Sequence, residues 1–144
     1  GVDGWDLMNP KMLTSYWTIT DPELLLTVNP IIVSDSIYSN RAIEEGVLNE
    51  TSIKDGKRIF TVDYDYGGVH QTMQEKNGIL YLSAVDAVLL FDTSVNKFVG
   101  RDKTHPGYSQ QENTTLKYKD LFIHFCDDIA VGGRVEALRM DYKR

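Results

Sequence analysis

Four side chains between Asp63 and Tyr81 could do proton chemistry together if the chain pairs as its turns suggest. Gly67-Gly68 and Asn77-Gly78 are two-residue turns of the kind that supply the positive φ angles of tight hairpins, and alternating runs flank both. Residues 58–83 then fold into a three-stranded antiparallel meander that sets Asp65 opposite His70, Asp63 opposite Thr72, Thr72 opposite Ser83 and Gln74 opposite Tyr81. A carboxylate facing an imidazole favours its charged form and fixes its tautomer, and a phenol adds a hydrogen-bond donor. The expected catalytic set is therefore Asp63, Asp65 and His70 as proton carriers with Tyr81 as donor. A second pair follows if the last hairpin turns at Gly132-Gly133: His124 faces Asp141, and Cys126 faces Arg139. Against both stands the commoner reading, an exposed cross-strand ion pair that contributes less than ~1 kcal/mol.

The opposite face of the same meander collects Phe60, Val62, Tyr64, Tyr66, Val69, Met73, Leu80 and Leu82. The more apolar of two surfaces is the one expected inside, which leaves the Asp63, Asp65, His70 face outside. A cavity lined by Tyr64, Tyr66, Met73 and Leu82 is the expected ligand site, and non-catalytic binding of a small apolar or amphipathic molecule is the leading functional expectation. Two alternatives come from other classes. One is a cofactor-free isomerase, cyclase or dehydratase working through the Asp/His set; the other is a structural or protein-interaction module of a larger assembly.

Metal and nucleophile chemistry have less behind them. Asp63-Tyr64-Asp65 and Asp127-Asp128 supply too few oxygens, and no glycine-assisted curvature, for a calcium loop. A zinc site from His70, His105 and His124 requires tertiary proximity that no spacing implies. No metal and no cofactor is expected. Cys126 is the sole cysteine, which excludes an intramolecular disulfide and slightly favours a reducing, cytoplasmic setting, although Asn49-Glu50-Thr51 and Asn113-Thr114-Thr115 match the glycosylation acceptor pattern.

These residues must be positioned by something. At 144 residues the chain suits one domain, 1–144, and 42% hydrophobic with 25% charged residues is ordinary for a globular fold. Residues 1–56 read as a helical and loop segment packing on the sheet: Pro10 opens a short helix through Met12, Leu13, Tyr16 and Trp17, Asp21-Pro22-Glu23 is a capped helix start, and a further helix spans Ser36 to Glu45. Residues 57–144 read as an antiparallel β meander, with Val88 to Asp92 and Lys97 to Gly100 flanking a four-residue loop and a long polar connection from Arg101 to Thr115. The fold class expected is mainly β (α+β): a curled antiparallel sheet or calycin-like β-barrel with short N-terminal helices. A cone-shaped α+β fold of the nuclear-transport-factor kind is the alternative.

Net charge is −6, and residues 1–50 carry eight acidic and two basic side chains against thirteen of each in the remainder. An acidic surface repels phosphate backbones and anionic lipid, so neither nucleic acid nor membrane is an expected partner. A small molecule, a protein partner or a second copy remains compatible. No apolar run is long enough to span a bilayer, and no signal-peptide pattern opens the sequence.

Overall fold

In a computed structural model, residues 13–24, 27–43, 45–64, 72–83, 87–102, 114–128 and 132–144 are described. They form three antiparallel sheets in chain order. The first holds β1 (Thr27–Val33), β2 (Ser36–Ile43), β3 (Glu45–Ser52) and β4 (Arg58–Tyr64). The second holds β5 (Met73–Lys76), β6 (Ile79–Ser83), β7 (Val88–Asp92) and β8 (Lys97–Asp102). The third holds β9 (Thr114–Tyr118), β10 (Leu121–Asp128) and β11 (Gly132–Arg139). Each sheet is a meander, every strand pairing with its chain neighbour. Left-handed residues mark the bends: Ser34 between β1 and β2, Asn77 with Gly78 between β5 and β6, Asn96 before β8, and Lys119 between β9 and β10.

The sheets stack face to face rather than closing into a barrel. Phe60, Val62 and Tyr64 of β4, with Tyr38 and Leu48, meet Met73, Leu80, Leu82, Leu89 and Phe91 of the second sheet in one core. On the other face of the second sheet Ile79, Tyr81 and Val88 meet Phe122 and Met140 in a second core. The second sheet is thus covered on both sides, which is why all five residues of β6 are buried. Between sheets the first strands lie side by side, β1 beside β5 and β5 beside β9.

Three sequence expectations are corrected. The calycin-like closure is absent, and so is the N-terminal helical segment: among the described residues the helix is a single 3-10 turn, Pro22–Leu24. Asp21 does cap it, accepting from the Glu23 N–H at 3.0 Å, but the β-branched run Ile31-Ile32-Val33 and the pairing of β2 with β1 and β3 take the following residues into strands. Tertiary pairing overrides the local signal. The third correction concerns the meander over 58–83. Its second hairpin stands, with Gln74 opposite Tyr81, Met73 opposite Leu82, and the Ser83 N–H donating to the Thr72 carbonyl at 2.9 Å. Its first does not: Asp63 pairs with Val47 and Thr61 with Asn49, because β4 is the last strand of one sheet and β5 the first of the next.

The N-terminal segment closes over the end of the β3–β4 hairpin. The Trp17 indole N–H donates to the Ile53 carbonyl at 2.7 Å, Arg58 Nε donates to Asp21 Oδ2 at 2.8 Å, and Asn49 Nδ2 reaches the Glu23 carbonyl at 3.5 Å. Gly46 permits another close approach, since a Cβ there would run into the Tyr64 ring. Gly46→Ala is expected to lower the urea midpoint by the equivalent of about 1–3 kcal/mol. An unchanged midpoint would show that the ring yields.

Candidate functional site

Where the second and third sheets diverge they leave a cleft of about 270 Å³. Alternation along β6 and β7 sends Tyr81, Val88 and Leu90 toward the third sheet, and Phe122 and Leu138 answer from β10 and β11. The C-terminal tail forms one wall with Met140, Asp141 and Tyr142, while Arg101 and Arg139 stand among the lining residues beside the small floor at Gly100. A Cβ on Gly100 would meet Leu90 only at 3.7 Å, ordinary contact, so the glycine leaves room rather than avoiding a clash.

That tail is pinned at four points. The Met140 N–H donates to the Asp120 carbonyl at 2.7 Å, Lys76 Nζ donates to the Met140 carbonyl at 2.8 Å, and the Tyr142 N–H donates to the Tyr81 hydroxyl oxygen at 3.2 Å. Arg144 Nε then reaches both Asp92 oxygens, at 3.1 and 3.0 Å. Burial raises the Tyr81 phenol above its ordinary range, so it is protonated at neutral pH. The Asp92 carboxyl is lowered to about 2 by the Arg144 hydrogen bond and by Ser94, whose hydroxyl and N–H both donate to it.

A pH expectation follows from the Asp92 value. A group depressed on folding contributes stability that is present above its unfolded value and lost as pH falls through the folded one. The Asp92 contribution should therefore be complete above the ordinary carboxylate value of 3.8 and fade toward about 2. Urea midpoints measured down that window should fall less steeply for Asp92→Asn than for the parent. Equal slopes would separate the carboxylate from the latch.

The structure distributes the sequence-derived candidates over four places. Tyr81 and Asp141 both line the cleft. Tyr64, Met73 and Leu82 share the first core, packed between sheets, and Tyr66 lies outside the described residues. Burial pushes the Tyr64 phenol up to about 12, with Asn40 Nδ2 3.4 Å away the smaller, opposing influence. Asp63 is exposed on the outward side of β4, while Asp65 and His70 lie outside the described residues. His124 is buried beneath the third sheet, opposite Glu136 and Thr115 and not opposite Asp141; Cys126 is opposite Arg134.

The His124–Asp141 pairing fails for a definite reason. Gly132 and Gly133 are the first residues of β11, paired with Asp128 and Asp127, rather than the turn itself. A bend at Lys119-Asp120 also divides the stretch before those glycines into two strands, β9 and β10. The cleft residues Val88, Leu90, Phe122, Leu138 and Tyr142 escaped the sequence reading. The signal for the first two was there: Val88-Leu89-Leu90-Phe91 is apolar on both faces, as a strand covered on both sides must be.

Among the described residues no group of three or more His, Cys, Asp or Glu could hold a metal ion, and no helix is long and apolar enough to cross a membrane. No family model and no curated protein matches the sequence. Among solved structures it is similar to the crystal structure of the computationally designed Ika4 protein, at 12% identity over 90% of this chain and 100% of that chain with a TM-score of 0.44. At that level the likeness says nothing of function.

Proposed function

We propose that the chain is a non-catalytic small-molecule-binding module whose ligand lies in the cleft between the second and third sheets. One observation carries the reading: an apolar floor of Tyr81, Val88, Leu90 and Phe122 lies beside lining residues Arg101, Arg139 and Asp141, the arrangement of a pocket that buries an apolar body and orients a polar end. The volume suits a molecule of one or two rings. The acid–base alternative draws less support, since His124 pairs with Glu136 and not with Asp141, and Asp63 pairs with Val47 and not with Thr72.

Anilinonaphthalene sulfonate, an aromatic anion, is a suitable probe, with binding followed by fluorescence and by amide chemical shifts. Shifts are expected at Tyr81, Leu90, Phe122 and Met140. Gly100→Leu fills the cleft from its open side and is expected to weaken binding about tenfold or more. Shifts confined to β9 and β11 outward residues, or full affinity in the filled variant, would overturn the assignment.

A further inference from the structure

Among the described residues, ten of the twelve exposed large hydrophobics sit at the two outer ends of the stack. At one end Leu116, Tyr118, Phe125 and Val135 lie on the side of the third sheet turned away from the second; Phe125 pairs with Val135, and Leu116 with Ile123, while the alternate residues Phe122 and His124 point inward. Val135 is 60% exposed and Tyr118 58%. At the other end are Leu13, Tyr16, Trp17 and Ile19 of the N-terminal segment with Ile32 and Ile59 of the first sheet. Patches this concentrated mark association surfaces rather than ordinary scatter.

The internal interfaces indicate what covers them. Twice in this chain one sheet's apolar face seats the next sheet, and the outward face of the third sheet occupies the position from which that series continues. The ends also differ in charge. Lys119 Nζ lies 5.2 Å from the centre of the exposed Tyr118 ring. On the outward side of the first sheet Arg58 is paired with Asp21 and Arg41 with Glu23, and among the described residues of that side the exposed Asp63 carboxylate belongs to neither pair. We propose that the outward face of the third sheet is a docking surface for a second copy of this chain, which seats its first-sheet end there so that the stack runs on from one molecule into the next. Such a head-to-tail contact is heterologous, and it builds a closed ring of copies or an open filament according to the rotation from one copy to the next. This goes beyond the cleft reading and does not depend on it.

Sedimentation velocity of the full chain over a rising concentration series tests the proposal, with Val135→Glu as the third-sheet variant and Ile32→Lys as the first-sheet variant. Both positions are exposed, so urea midpoints should be unchanged. The parent should self-associate, and each variant alone should do so about tenfold or more weakly. An equimolar mixture should restore association but stop at a one-to-one dimer, since it contains one intact copy of each end. A parent that stays monomeric throughout would overturn the proposal and leave the face to a different partner. Self-association retained by Ile32→Lys would overturn it in favour of two third sheets packing on each other. Hydrogen exchange of the parent supplies a reading independent of the variants: on concentration, amides should slow in β9 and β11 together with residues 13–20 and β4. Slowing in β9 and β11 alone would count against head-to-tail seating.

Discussion

Phe91→Ala should remove about 3–5 kcal/mol of folding stability, the cost of deleting a large ring from a core that cannot fully collapse. Phe91 is wholly buried, packs edge-on to Phe98 at 5.0 Å between ring centres, and lies 6.1 Å from Tyr38 and 6.2 Å from Phe60. Two of those partners belong to the first sheet, so the ring joins layers as well as filling space. Edge-to-face and tilted pairs add to simple burial. Urea unfolding checks the value, and a loss under about 1 kcal/mol would mean that the two sheets are not packed through this cluster.

The second large effect is expected at Phe122, and it should be local. Phe122 is 1% exposed and is the principal ring that the third sheet contributes to the second core, tilted against Tyr81 at 6.4 Å and next to His124 at 6.1 Å. Phe122→Ala would open the core into the adjoining cleft at a cost of about 3–5 kcal/mol. The first core does not include this residue, so the first two sheets should keep their mutual packing. Native-state hydrogen exchange should show amides of β9 to β11 losing protection while those of β3 and β6 keep theirs. A uniform loss across all three sheets would establish instead that they open as one unit.

The first core also contains a polar tie between sheets that no strand pattern announces. Glu50 accepts from Ser36 Oγ at 2.7 Å and from Asn96 Nδ2 at 3.1 Å, and Asn96 Oδ1 accepts from the Tyr38 hydroxyl at 3.0 Å. Burial, with the nearby Glu50 carboxylate, raises the Tyr38 phenol well above its ordinary range. The bend at Asn96 was legible as a four-residue loop, but its side chains find partners 46 and 58 residues away.

Local physics did settle a good deal. Asn77-Gly78 demands a two-residue hairpin because both residues must take positive φ, and the alternation on either side leaves one register, which is the one seen from Thr72 to Ser83. Val88–Asp92 and Lys97 at the start of β8 were likewise readable from a loop between two β-rich runs. The apolar character of Met73, Leu80 and Leu82 correctly marked an inside surface. What the alternation could not say was whether Phe60, Val62 and Tyr64 lie beside those residues in one sheet or across from them in another. Edge-to-edge and face-to-face neighbours impose the same apolar period of two, and only the tertiary structure chose the second. That choice separates Asp63 from Thr72 and places Tyr64, Met73 and Leu82 in a core shared by two sheets. The remaining cleft, beside Tyr81, arises because Phe122, Met140 and the Arg144–Asp92 latch bring distant segments onto the opposite face of the same strands, through contacts that span too much sequence for any local pattern to encode.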